Sequence, residues 1–103
     1  MLELNLNSHA LENLEQLKND HAKNRTLKDV VKTLNLMHEN LRHPSLNTHA
    51  YKGLNGPNGE KVFEAYAQQK TSDAYRIFWC YGPKEQAITI IAIVPHPQKK
   101  PLH

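Results

Sequence analysis

Two side chains stand where the chain could do chemistry. Arg76 lies early in the segment 74–83, and His96 follows the segment 88–94, between Pro95 and Pro97. Both segments read as β-strands, joined by a short turn around Gly82-Pro83. An arginine inside a sheet needs a partner or a task. Its planar fork of donors fits phosphate oxygens and stabilises negative charge as it develops. A histidine at the mouth of a sheet can carry a proton near neutral pH. Each residue also has a structural explanation. Arg76 would form a cross-strand ion pair with Glu64, and His96 would be a turn residue held rigid by its prolines.

Those positions have to be supplied by elements, and the pattern changes midway along the chain. The first half is helical. Ser8 is placed to cap a helix carrying Ala10, Leu11, Leu14 and Leu17. Thr26 and Asp29 resemble a capping box for a second helix, with Leu27, Val30, Val31, Leu34, Met37 and Leu41 at helical spacing and Pro44 as its stop. Beyond Pro44 the period shortens. Residues 46–54 read as extended, and 55–59 is a turn cluster, Asn-Gly-Pro-Asn-Gly. Residues 61–68 read as a strand with Phe63, Ala65 and Ala67 on one face and Val62, Glu64 and Tyr66 on the other. Strand 74–81 places Tyr75, Ile77, Trp79 and Tyr81 opposite Arg76, Phe78 and Cys80. Strand 87–94 is apolar on both faces, which suits a covered position. A polar turn is expected at 69–73 and a frayed tail from Pro97. The expected architecture is α+β: two N-terminal antiparallel helices packed on one face of a three- to four-stranded antiparallel sheet. Tyr75, Ile77 and Trp79 should lie beneath Leu14, Val30, Leu34 and Met37, and Arg76 should face an open surface.

With 103 residues, the chain suits a single domain spanning 1–103. Apolar residues make up 39%, and no run approaches the roughly 20 residues that a transmembrane helix needs. The start, Met1-Leu2-Glu3-Leu4-Asn5, lacks the basic and apolar regions of a signal peptide, so a cytoplasmic protein is expected. One cysteine, Cys80, excludes an internal disulfide. The net charge of +3 permits an RNA or acidic partner without requiring one. His38 and His43 are not spaced for one helix face and Cys80 has no cysteine partner, so no metal site is expected, and no glycine loop to cradle a phosphate is present.

The segments His43-Pro44-Ser45-Leu46, Tyr51-Lys52-Gly53-Leu54, Val62-Phe63-Glu64-Ala65-Tyr66, Tyr75-Arg76-Ile77-Phe78-Trp79 and Ile90-Ile91-Ala92-Ile93-Val94-Pro95-His96 together resemble the RelE/ParE superfamily of bacterial toxins. The resemblance implies a type II toxin held by a cognate antitoxin. It implies a metal-independent, ribosome-dependent endoribonuclease acting on mRNA, without a cofactor. The other branch of the superfamily poisons DNA gyrase, and a catalytically degenerate binding module is the remaining alternative. On the ribonuclease reading, Arg76 would hold the scissile phosphate and His96 would protonate the leaving 5′ oxygen. His49 would act as base or phosphate contact, Tyr66 would stack on a base or orient the 2′-hydroxyl, and Lys52 would grip the RNA backbone. A loop histidine such as His49 is more often simply solvated, and Tyr66 could pack beside Phe78. The sequence departs from the most basic ribonucleases, which carry two lysines where Glu64 and Tyr66 stand here. An antitoxin segment would lie across the open sheet face or the helices, or add a strand beside 87–94 or its neighbour.

Overall fold

The chain forms β1 (Glu3–Leu6), α1 (Ser8–Lys18), a 3-10 turn (His21–Lys23), α2 (Asn24–Glu39), a second 3-10 turn (Pro44–Leu46), β2 (His49–Asn55), β3 (Lys61–Tyr66), β4 (Tyr75–Tyr81) and β5 (Ala87–Pro95). The structure is a computed structural model and describes residues 1–70 and 73–96. Part of the expected 69–73 turn and the whole tail from Pro97 therefore lie outside the described residues.

The sheet has five strands in the order β1-β5-β4-β3-β2. β2, β3, β4 and β5 form an antiparallel meander, and β1 runs parallel to β5, pairing Glu3 with Ala87 and Leu6 with Ile90. The sheet is thus mixed and larger than the three or four antiparallel strands expected. β1 is only four residues long and precedes both helices, so it has no local partner in sequence. Its alternation, Leu2-Glu3-Leu4-Asn5-Leu6, is too short to stand out in sequence, but all three leucines pack against the main core. The edge strands are β1 and β2. β1 covers only Ala87–Ile90 of β5, and beyond it the Ile93 amide donates to Asn13 Oδ1 of α1.

The helices begin and end differently from expectation. Asn7, not Ser8, caps α1, its side-chain oxygen accepting from the Ala10 amide at 2.8 Å. Leu11 is exposed, because a strict three-residue spacing drifts around the helix. Asp20 caps the short turn at His21–Lys23, which runs directly into α2. Thr26 consequently lies inside the helix, where it and Asp29 accept hydrogen bonds from Gln68 Nε2. α2 stops at Glu39, before Pro44, which opens a 3-10 turn instead.

One core joins Ala10 and Leu17 of α1 and Val30 and Met37 of α2 to Ala65, Ile77, Trp79, Ile88, Ile90 and Ile93 of the sheet. Trp79 is buried, as its place in the alternation predicts, while Tyr75 is half-buried at the margin. Phe78 pairs with Ala92 and Trp79 with Ile90, leaving Ile91 as an extra residue in β5. This bulge shifts the alternation so that Ile88, Ile90 and Ile93 all reach the helical core.

The opposite face is not open. Val62, Phe78, Cys80, Ile91 and Ala92 form a second buried cluster, covered in part by Tyr51 and Val94. The Tyr51 ring lies 4.8 Å from that of Phe78. Arg76, expected at an open surface, is buried among these residues, with 7% exposure.

Candidate functional site

Strand register brings four separated positions to one point on this second face. His49 opens β2 directly opposite Glu64 of β3. Tyr66, two residues along β3, pairs with Arg76 of β4. Arg76 pairs in turn with Val94 of β5, and the next residue on that face, just past the end of β5, is His96. The His96 amide donates to the Ala74 carbonyl at 2.7 Å, carrying the ladder one step past the end of β5.

Glu64 is the centre of the cluster and is fully buried. Its Oε2 lies 2.7 Å from His96 Nδ1 and 3.5 Å from Arg76 Nε, and its Oε1 lies 2.8 Å from His49 Nε2. The contact to His96 is an aligned hydrogen bond. The approaches of His49 and Arg76 Nε are close in distance but off the hydrogen-bond line, so they act mainly through charge. A buried carboxylate is costly without such partners, and here three groups that can carry positive charge surround one anion.

The guanidinium of Arg76 is held from two further sides. Its Cζ lies 3.7 Å from the centroid of the Tyr66 ring, and Nη1 donates to the carbonyls of Gln68 and Tyr75. The partner of Tyr66 is thus Arg76 rather than Phe78. The His49 ring stands edge-on to Tyr66, with centroids 5.8 Å apart. Ion pairing between Arg76 and Glu64 coexists with exposure of the histidines: the side chains of His49 and His96 are 47% and 40% exposed.

The two histidines differ in what their nitrogens can do. His49 Nδ1 lies 2.9 Å from the Asn47 carbonyl, which only accepts, so this nitrogen carries a proton. Its Nε2 faces the Glu64 carboxylate, and both nitrogens are engaged. His96 uses only Nδ1 toward Glu64, which as an ionised carboxylate accepts the Nδ1 proton and leaves Nε2 as the exchanging position. A carboxylate that fixes the tautomer of a half-exposed histidine is an arrangement suited to proton transfer.

Four of the five residues expected from sequence, Arg76, His96, His49 and Tyr66, come together here. Lys52 does not join them; it is exposed on β2, in the stretch where regular pairing with β3 breaks down after Tyr51. Glu64, considered from sequence only as an ion-pair partner, is the residue that connects the others. Its signal was an acidic residue on the same strand face as an arginine, in an otherwise apolar strand. Among the described residues no group of three or more His, Cys, Asp or Glu side chains is arranged to hold a metal ion. No helix among them is long and apolar enough to cross a membrane.

No family model matches the chain, and no curated protein sequence does. Its fold does match solved structures. A YoeB/ParE toxin from Agrobacterium tumefaciens superimposes with a TM-score of 0.68 at 11% identity, covering 93% of this chain and 100% of the other. The archaeal RelE–RelB complex from Pyrococcus horikoshii gives 0.61 at 13% identity, covering 95% and 98%. A metal-bound toxin from Helicobacter pylori gives 0.62 at 17% identity, covering 93% and 96%. This chain has the fold of the YoeB and RelE toxins.

Proposed function

We propose that the protein is the toxin of a type II toxin–antitoxin pair and cleaves mRNA at the cluster centred on Glu64. The observation that carries this reading is the contact of one buried carboxylate with Arg76 and with two half-exposed histidines, His49 and His96. Cleavage of RNA beside a 2′-hydroxyl needs one base, one acid and positive charge near phosphorus, and the cluster offers all three.

Half-exposed His49 takes the proton of the 2′-hydroxyl at Nε2, and buried Glu64, its Oε1 2.8 Å away, stabilises the imidazolium that forms. The freed 2′ oxygen attacks the adjacent phosphorus, and the bond from phosphorus to the 5′ oxygen breaks. Protonated His96 gives its Nε2 proton to that leaving oxygen. The products are a 2′,3′-cyclic phosphate and a 5′-hydroxyl end. The 2.7 Å contact between Glu64 Oε2 and His96 Nδ1 holds the tautomer, and solvent exchange at the outward nitrogens carries the proton off the base and recharges Nε2 of His96. Arg76 cancels the charge of Glu64, so that the buried anion does not repel the phosphate, and Tyr66 holds the guanidinium in place.

The fold match to the RelE–RelB complex supports an antitoxin as partner, and the surface offered for it includes the exposed residues Leu11 and Val31 of the helices. A cytoplasmic site of action on translating ribosomes fits this reading. A second reading, a binding module without catalysis, whether directed at DNA gyrase or at another target, is favoured by one observation: Glu64 is fully covered in the free protein.

The test is induction of the wild-type chain and of His96→Ala in bacteria, followed by mapping of RNA ends on ribosomes. New 5′-hydroxyl ends with wild type, reduced by roughly 10²–10⁴-fold with the variant, are expected. Intact transcripts together with stalled replication would move the protein to the gyrase branch. Intact transcripts without a growth defect would leave a binding module.

A further inference from the structure

The face of β3 and β4 turned away from the Glu64 cluster borders a cavity that the proposed cleavage does not use. Its volume is about 420 Å³, and Phe63, Trp79, Tyr81 and Arg42 contribute to its lining. The three rings form a corner. Phe63 and Trp79 are stacked, with centroids 4.9 Å apart and planes at 25°, and Tyr81 stands at 80° to Trp79 and 79° to Phe63. Two of its features are unusual for a hydrophobic core. Tyr81 is 58% exposed although it belongs to this aromatic group. Trp79 is 1% exposed, yet its indole Nε1 has no hydrogen-bond partner among the described residues. A buried indole N–H ordinarily finds an acceptor. The margin is cationic: Arg42 lines the cavity, and Lys61 Nζ lies 5.7 Å from the centroid of the Phe63 ring.

We infer that this cavity binds a nucleobase of RNA. An exposed aromatic face accepts any base by stacking, and cations at the rim suit the attached phosphate. The volume falls within the range of small-molecule sites. Tyr81 supplies the stacking surface, Arg42 with Lys61 meets the phosphate, and Trp79, which lines the cavity, reports its occupancy. The site lies on the other face of the sheet from Glu64, and its occupancy does not depend on RNA cleavage.

Trp79 is the sole tryptophan of the chain, so a single indole N–H resonance reports on the cavity. The full-length ¹⁵N-labelled protein is titrated separately with AMP, GMP, CMP and UMP, with ribose 5-phosphate, and with 2′-O-methyl tetranucleotides, which lack the 2′-hydroxyl. At least one mononucleotide shifts the Trp79 indole resonance saturably, and ribose 5-phosphate does not. Tyr81→Ala weakens that binding by about tenfold, the scale of one lost stacking partner. Arg42→Ala weakens it and reduces its dependence on salt. A tetranucleotide that saturates well below the mononucleotide assigns the site to an RNA strand, and equal saturation assigns it to free nucleotides; both sustain the pocket. No shift at millimolar nucleotide, an equal shift with ribose 5-phosphate, or unchanged affinity in a folded Tyr81→Ala protein would overturn it. His96→Ala retains the binding whether or not the wild-type protein cleaves RNA, so failure of the cleavage reading and failure of this site are separately visible.

Discussion

His96 Nδ1 and Glu64 Oε2 are 2.7 Å apart, although 32 positions separate the two residues in sequence. One belongs to the middle of the sheet and is fully buried; the other lies just past the last strand and is 40% exposed. The pair therefore joins a group that solvent cannot reach to one that substrate can. It gives His96 a defined tautomer, with Nε2 as the outward nitrogen.

His96→Ala removes the outward proton carrier without opening the core. RNA cleavage should fall by roughly 10²–10⁴-fold, the usual worth of a general acid, and the urea midpoint should fall as well, because buried Glu64 loses its aligned hydrogen bond, a loss of about 1–3 kcal/mol. Primer extension on ribosome-bound transcripts and a urea melt monitored by Trp79 fluorescence read both quantities.

Arg76→Ala should be strongly destabilising, contrary to what an arginine on an open surface would imply. The substitution leaves Glu64 buried beside an empty space, and breaking a buried pair costs about 3–5 kcal/mol. Arg76→Lys should recover only part of this, because an ammonium cannot reach Glu64 and the Gln68 carbonyl with the same fork. Replacing both partners, as Glu64→Leu with Arg76→Met, should be less destabilising than either single truncation. Urea denaturation of the wild type, Glu64→Leu, Arg76→Met and the double variant forms a double-mutant cycle, and additive losses would show that the pair is not coupled.

Cys80 should be a poor nucleophile in the folded protein. Burial, and to a lesser degree the charge of Glu60, push its thiol above the ordinary cysteine value, so at a given pH less thiolate is present than for an exposed cysteine. Alkylation by iodoacetamide should be slow in buffer and fast in urea. Equal rates under the two conditions would contradict the buried placement.

Glu60 should contribute to stability at neutral pH and lose that contribution in acid. Hydrogen bonds from its own backbone amide and that of Asn58 hold its carboxyl below the usual carboxylate range. A depressed folded value means that the contribution is complete above the unfolded value, about 4.3, and disappears as pH falls through the folded one. Carboxyl carbon shifts in an NMR titration give the folded value directly. In Glu60→Gln the acid limb of the stability curve should be shallower.

Much of the meander was legible in the chain. Two-residue alternation in 61–68 and 74–81 placed Phe63, Ala65, Ile77 and Trp79 on the helical side and Glu64, Arg76 and Phe78 on the other, and the structure has them so. That assignment is local, since successive strand side chains must point to opposite faces. Arg76, His96, His49 and Tyr66 were likewise nameable, because their chemical types are unusual in or beside apolar strands. What the chain could not disclose is pairing at a distance. β1 becomes a strand only because β5 lies beside it, and four residues hold too little periodicity to announce this. Whether Arg76 meets solvent depends on Tyr51, Val94 and the second apolar cluster, which are assembled from three other strands. The role of Glu64 is of the same kind. As a single residue it reads as an ordinary carboxylate. Only the register of β2 against β3, and the step of β5 past Tyr75, set His49, Arg76 and His96 around it, in a space where a lone charge could not persist.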